Sequence, residues 1–329
     1  MSNKEKFPVK NILILTSYRC GSSFLGELIN QYPGIFYFYE PLHYYSYINK
    51  EKVQEETDFL TSLFNCDFSD RNHGYLEHLQ ESSHSFLMTR HNKRLWSSCS
   101  VFKKSRDNSK EKLCFSENYL NMICPLYPIR MIKTVRLRLN RTLEMLQSDP
   151  NLQILVLVRD PRAVFSSRWA ESVSTWCRND HCRDPETSCN DIMEDVISAK
   201  IIMEQYPGRV LLIRYEDLSL YTRSTAKKIF EFFNLPWVKS IENYISIHTK
   251  GVTRSKKERL ESKDPYGTIR NSTASVMSWT KSLSHDNITL VQEKCSGLMS
   301  HLGYTRVNIS ETWSPTLADL MELGKQWHF

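Results

Sequence analysis

Glycine and proline are scarce, at 10 and 12 among 329 residues, and no segment repeats at a fixed period or collapses into a low-complexity tract. Collagen-like, solenoid and linker-dominated chains are thereby excluded. Long apolar runs are missing too. The stretch from Ile154 to Val158 falls far short of the roughly 20 residues that cross a bilayer, which predicts a soluble chain. Met1 to Lys10 is charged and lacks an apolar stretch followed by a small-residue cleavage site, so no signal peptide is read there. A membrane connection would come only through an anchor upstream of this sequence. No helix-turn-helix, finger or stacking-platform motif accompanies the basic residues, so nucleic acid is not an expected partner despite a formal net charge of +6. The G-x-x-x-x-G-K-[ST] loop of nucleoside triphosphatases is also absent.

What remains is an ordinary composition, 40% hydrophobic and 24% charged, long enough to bury a sizeable core. The expectation is one domain over residues 1–329, with an insertion at about 50–127. Basic residues gather at Arg136, Arg138 and Arg141 and from Arg254 to Arg259, where they suit either an anionic partner or solvent. Nine cysteines hint at an oxidising compartment, and the odd count leaves at least one unpaired. Cys177, Cys182 and Cys189 form the one tight group; without a fourth ligand, a local disulfide is a better reading than zinc. Acceptor sequons at Asn140, Asn271, Asn287 and Asn308 point weakly the same way.

Asn11 to Thr16 reads as a buried strand, and SFLGELINQ behind it places Phe24, Leu25, Leu28 and Ile29 at helical spacing. Pro33 and Gly34 end that helix, and Ile35 to Tyr39 reads as a second strand, completing a βαβ unit with parallel strands. From about Val53 to Tyr127 the chain is polar and irregular, with helical hints at Thr57 to Phe64 and Gly74 to Glu81. Gln153 to Val158 is a strand covered on both faces, and Asp160 with Pro161 suits the start of a helix. Val210 to Tyr215 is a fourth strand, followed by a helix around Ala226 to Phe233. Alternating strands and helices make the class α/β, a parallel sheet flanked by helices. Ligands in such sheets bind beyond the carboxyl ends of the strands, which directs attention to Arg19, Glu40, Arg159 and Glu216.

Two segments there have the chemistry of phosphate cradles. In YRCGSSF, Tyr18 to Phe24, Gly21 permits close backbone approach, the helix start supplies amides, Ser22 and Ser23 supply hydroxyls, and Arg19 supplies charge. The competing reading is a serine-capped turn. In VRDPRAVFSSR, Val158 to Arg168, Arg159 emerges at the strand end and Ser167 follows inside the next helix, so that fork and hydroxyl can share one phosphate. Arg162 and Arg168 read as added positive field or as solvent-facing charge.

These segments resemble the 5′-phosphosulfate and 3′-phosphate binding motifs of the Golgi carbohydrate sulfotransferases. The likeness is greatest to the branch that sulfates the 6-hydroxyl of galactose, N-acetylgalactosamine or N-acetylglucosamine. It runs from about Asn11 to Tyr304 through SSFLGELINQ, FYFYEPLH, KTVRLRL, LVRDPRAVFSSR, IRYEDL, NLPW and IRNSTASVMSW. Lys50 to Leu120 and the last twenty-five residues are not matched to the family's motifs. The resemblance implies a P-loop-like nucleotide-binding architecture and 3′-phosphoadenosine 5′-phosphosulfate (PAPS) as donor, with no metal. It also implies a glycan acceptor containing chondroitin, keratan or N-acetylglucosamine, and residence in the Golgi lumen. It places the phosphosulfate loop on Arg19, Cys20, Gly21, Ser22, Ser23 and Phe24, and the 3′-phosphate pair on Arg159 and Ser167. Arg270 falls on a basic loop that closes over the nucleotide, in which case Asn271 would stay unglycosylated. Cys20 departs from the family's usual Ser or Thr; a backbone contact survives that change and a hydroxyl contact does not. Arg19 stands where related enzymes carry a Lys, as a stabiliser of charge on the bridging oxygen.

Glu40, at the end of the second strand, is the candidate base for the acceptor hydroxyl; the rival reading is a strand-end carboxylate paired with a nearby amide. His43 is a weaker base candidate or a lining residue. Lys133, Arg136 and Arg138 alternate with apolar residues as in a strand, with one face available to an anionic glycan or to solvent. Glu216 and Asp217 read as structural. A kinase-like phosphotransferase and a catalytically idle nucleotide- or glycan-binding module are the alternatives to sulfuryl transfer, and a tyrosine or small-alcohol acceptor is the alternative to a sugar.

Overall fold

The computed structural model describes residues 9–45, 53–69, 74–80, 91–92, 94–95, 97, 114–250, 267–308 and 315–322. The basic run from Arg254 to Arg259 lies outside them. Five strands, β1 (Lys10–Thr16), β2 (Ile35–Tyr39), β3 (Ile129–Thr134), β4 (Leu152–Val158) and β5 (Val210–Arg214), form a sheet in the order β2-β3-β1-β4-β5. β1 and β2 both run parallel to β3, and Met131 is the shared register partner of Ile12 and Tyr37. The strands are rich in β-branched and aromatic residues and buried along nearly all their length, as strands flanked by helices must be.

Helices follow the strands: α1 (Ser22–Ile29), α2 (Val53–Phe64), α3 (Pro161–Arg168), α4 (Pro185–Gln205), α5 (Tyr215–Leu220), α6 (Thr222–Phe232), α7 (Lys239–His248), α8 (Ser272–Met277) and α9 (His285–Lys294). The start of α3 is the one the residues call for, with Asp160 capping the Arg162 amide at 2.9 Å and Pro161 at the first helical position.

Two expectations need correction. KTVRLRL is not a strand throughout. β3 begins upstream at Ile129 and ends at Thr134, whose hydroxyl accepts the Arg136 amide at 3.1 Å and turns the chain out of the ladder. Likewise β5 stops at Arg214, and Tyr215 already belongs to α5.

The chain divides into two compact units, Met1–Leu15 with Tyr32–Leu155 and Thr16–Gln31 with Val156–Phe329. In the first, Phe38 packs against Phe36 and Phe68, and Cys66–Cys124 is a disulfide. In the second, Ala163, Trp279, Ile288 and Leu320 form a buried cluster, and Cys177–Cys182 and Cys189–Cys295 are disulfides. Cys177 and Cys182 of the tight group pair locally as expected, whereas Cys189 reaches Cys295 across 106 positions. Cys114 is also disulfide-bonded, and Cys20 is the free cysteine among the described residues.

Candidate active site

The second unit brings the two cradle segments together. The turn after β1 is left-handed at Arg19 (φ 68°) and at Gly21 (φ 89°). Glycine is required at position 21 on two counts, because a Cβ there would meet Cδ2 and Cε2 of the Tyr215 ring at 2.4 Å as well as occupy a disfavoured φ. The Gly21 carbonyl closes the first turn of α1 by accepting from the Phe24 and Leu25 amides. The helix has no side-chain cap and no acidic residue in its first turn, so nothing in its own sequence opposes an anion at its amide end. The Cys20 side chain is fully buried and burial pushes its thiol up, which leaves the amide as this residue's means of touching a ligand.

Arg159 follows β4 directly. Its Nη1 donates to the Arg19 carbonyl at 2.9 Å, its Nη2 to the Ser275 carbonyl on α8 at 3.2 Å, and its guanidinium lies 4.3 Å over the Tyr215 ring. Its Nε is buried with no partner among the described residues. An arginine held on three sides with one donor unspent is what an anionic ligand requires. Ser167, on the last turn of α3, accepts from Arg19 Nε at 2.8 Å. Arg19, Gly21, Arg159 and Ser167 therefore converge, and the carbonyl of Ser275 ties α8 to them. Arg270 is exposed on the segment leading into α8, and the Asn271 side chain caps that helix by accepting the Ala274 amide at 3.0 Å.

Nothing in the residue pattern singles out Tyr215, which forms the wall beneath Gly21 and the platform for Arg159. It lies inside the IRYEDL motif, but only the backbone conformation at Gly21 reveals what its ring does. Arg162 and Arg168 do not face solvent; both are fully buried, and the charge of Arg168 acts on Cys20 in the loop. Arg162 is held by Asp160, Gln292 and the carbonyls of Thr305 and Leu320, and it stacks 4.4 Å over Trp279. Glu216 is buried and accepts the Tyr304 hydroxyl at 2.6 Å and the Asp160 amide at 3.1 Å; burial and the nearby Asp160 raise its carboxyl. Asp217 takes a two-point contact from Arg214, at 2.8 and 2.9 Å. Both acids are structural.

In the first unit, Glu40 also has a left-handed backbone (φ 52°) and is buried. Its carboxylate is gripped by Lys133 Nζ at 2.6 Å and by Arg136 Nη1 at 2.5 Å. Burial alone would raise this carboxyl; the charges of Lys133 and Arg136 outweigh burial and hold it below the ordinary range. Lys133 also lies 4.4 Å over the Tyr39 ring, which stacks on His91 at 3.7 Å. His43 is half-buried in the short turn Pro41–His43, its ring 5.8 Å from that of His78. Arg138 precedes the turn Leu139–Thr142.

A family model described as the sulfotransferase domain matches residues 9–303. Carbohydrate sulfotransferase 1 of Danio rerio is 30% identical, with 95% of this chain and 82% of that protein covered. Carbohydrate sulfotransferase 3 of Homo sapiens is 27% identical over 90% of this chain and 67% of its own. Among solved structures, a mouse sulfotransferase complexed with PAP is 14% identical, covering 88% of this chain and 84% of that one, with a TM-score of 0.43. A sulfotransferase domain from the curacin biosynthetic pathway is 16% identical, covering 89% and 98%, with a TM-score of 0.45.

Proposed function

The chain belongs to the sulfotransferase domain family, and from that premise we propose that it moves a sulfuryl group from PAPS to the 6-hydroxyl of galactose, N-acetylgalactosamine or N-acetylglucosamine in a glycan. The observation that carries the reading is Arg159, a guanidinium fixed by Tyr215 and two carbonyls with its Nε unspent, set beside a glycine turn that no Cβ fits. The donor supplies an activated sulfuryl group. In this reading Arg159 and Ser167 bind its 3′-phosphate, the amides of the Arg19 to Phe24 loop and the uncapped start of α1 bind its 5′-phosphate, and Arg270 closes over the nucleotide. Arg19 steadies the negative charge that grows on the bridging oxygen as the bond to sulfur breaks.

Glu40 is the proposed acceptor of the hydroxyl proton. Its two ion pairs keep it ionised at neutral pH, which secures the state a base needs while weakening its pull on the proton. His43 and Arg138 belong to the acceptor side of the proposal. The acceptor class is supported by the carbohydrate sulfotransferases to which the chain is similar. A Golgi location is supported by the same similarity and by disulfides that need an oxidising compartment. No helix among the described residues is long and apolar enough to cross a membrane.

Labelled sulfate from PAPS, offered with chondroitin, keratan and N-acetylglucosamine-terminated glycans, tests the activity. Label is expected at a sugar 6-oxygen of at least one acceptor, with donor affinity reduced by Arg159→Ala. Label on tyrosine or on a small alcohol alone would replace the acceptor class. Unchanged donor affinity in Arg159→Ala would remove the donor assignment.

A further inference from the structure

The last turn of α3 carries two neighbouring residues that reach the turn after β1 from different directions. Ser167 takes the Arg19 side chain, as described. Arg168 takes the backbone one residue earlier: its Nε and Nη2 donate to the Tyr18 carbonyl at 3.1 and 3.0 Å, and Nη2 also donates to Ser17 Oγ at 2.6 Å. Arg159, just before the same helix, donates to the next carbonyl, that of Arg19. Two successive carbonyls are thus pinned by guanidiniums from the two ends of one helix. The residue between those pins is Arg19, held at a positive φ that non-glycine residues seldom adopt and that persists only where the surroundings over-determine it.

The far side of Arg168 is equally committed. Its Nη1 donates to Ser188 Oγ at 2.7 Å, to the Cys182 carbonyl at 3.0 Å and to the His181 carbonyl at 3.3 Å. Cys182 is closed onto Cys177 by a disulfide, and Tyr18 packs against the cluster of Val173, Cys177 and Cys182 and against Trp176. The guanidinium is fully buried, and among the described residues the acceptors of its hydrogen bonds are neutral carbonyls and hydroxyls. A buried charge is tolerated there because its donors are spread over two backbone segments, one of which is the loop itself.

We propose that Arg168 is a positioning residue for sulfuryl transfer, a clamp that sets the conformation of the Tyr18 to Phe24 loop, with the Cys177–Cys182 disulfide as the fixed wall against which it pulls. This rests on the reading of that loop as the seat of the donor's 5′-phosphate. Its consequence is a division within one ligand. Loss of the clamp affects the 5′ end of the nucleotide and leaves the Arg159 and Ser167 end nearly intact, which a general loss of stability would not do.

The test is calorimetric titration with two probes, adenosine 3′,5′-bisphosphate and adenosine 3′-monophosphate, on Arg168→Lys, Ser17→Ala and the Cys177→Ser/Cys182→Ser double variant. A lysine keeps the charge but cannot fork across both segments. Arg168→Lys is expected to weaken the bisphosphate about tenfold, equivalent to about 1.4 kcal/mol, while the monophosphate changes less than about twofold. The double variant is expected to move in the same direction, and Ser17→Ala to do so by about threefold while leaving the buried guanidinium and its hydrogen bonds to the Tyr18 carbonyl in place, which keeps the test alive should Arg168→Lys not fold. Equal weakening of both probes, or of neither, overturns the clamp. Failure of the unaltered protein to bind the bisphosphate overturns the donor reading beneath it, a separate result.

Discussion

Replacing Gly21 by alanine should be among the most damaging single-methyl additions in the chain, and the damage separates into two measurable parts. The backbone there sits at φ 89°, and holding an L-residue in the left-handed region costs about 1–2 kcal/mol. The new Cβ would stand 2.4 Å from two carbons of the Tyr215 ring, so the ring must move aside, an overpacking that typically costs about 1–3 kcal/mol. Together they predict a loss of about 2–5 kcal/mol in a urea titration, if the two terms add. Because the Arg159 guanidinium rests on that ring, affinity for adenosine 3′,5′-bisphosphate should also fall. Tyr215→Ala in the Gly21→Ala background removes the collision but not the backbone term, so the alanine should then cost only about 1–2 kcal/mol relative to Tyr215→Ala alone. A Gly21→Ala protein with an unchanged urea midpoint and unchanged affinity would refute the geometry, and so would an alanine cost that is the same with and without the Tyr215 ring.

Glu40→Gln should cut turnover while sparing donor affinity, and it should also destabilise by about 3–5 kcal/mol, because it leaves Lys133 and Arg136 without their carboxylate; turnover under saturating donor and urea midpoints check the two effects separately. The folded Glu40 carboxyl lies below its unfolded value of 4.5, so its stabilisation is present above pH 4.5 and is lost as pH falls through the lower folded value. Lys133 has the opposite sense: burial lowers it, the Glu40 charge more than restores it, and its contribution is full below 10.5 and lost as pH rises through the higher folded value. Removing Glu40 should flatten the acid limb of a stability-against-pH curve and reverse the alkaline one, because burial alone then holds Lys133 below its unfolded value. Cys189→Ser with Cys295→Ser opens a link spanning 106 positions and should cost about 2–5 kcal/mol, read as a lower thermal midpoint.

The first forty residues disclose their fold because strand, loop, helix and strand each follow a simple rule: continuous apolar residues, a glycine turn, helical spacing, then aromatic residues again. β3 resisted that reading. Its sequence IRMIKT carries Arg130 and Lys133, which look like charges for solvent, yet both are buried: Lys133 is neutralised by Glu40, just beyond β2, and Arg130 lies with its Nε 3.3 Å from the Cys66 sulfur. The same blindness hid Arg162 and Arg168. Several of the acceptors that hold these two arginines are backbone carbonyls distant in sequence, those of Thr305 and Leu320 for Arg162 and of Tyr18 for Arg168, which no residue letter announces. Arg19, Gly21, Arg159 and Ser167 were legible because strand ends and helix starts gather ligand-binding groups in parallel sheets. Tyr215 was not, since its part is steric.

The match to the sulfotransferase domain model ends at residue 303, but the hydrogen bonding of the protein does not. Arg162 spends one donor on the Thr305 carbonyl and another on that of Leu320, Arg214 reaches the carbonyl of Glu322, and Tyr304 bridges to Met321. A recombinant version cut at residue 303 would therefore take two buried acceptors from Arg162 and one from Arg214, leaving Arg162 to Asp160 and Gln292 and Arg214 to Asp217 and the Leu302 carbonyl. The segment beyond that match supplies acceptors to buried charges in the sheet's helical cover, and any shortened version made for crystallisation should keep it through at least residue 322.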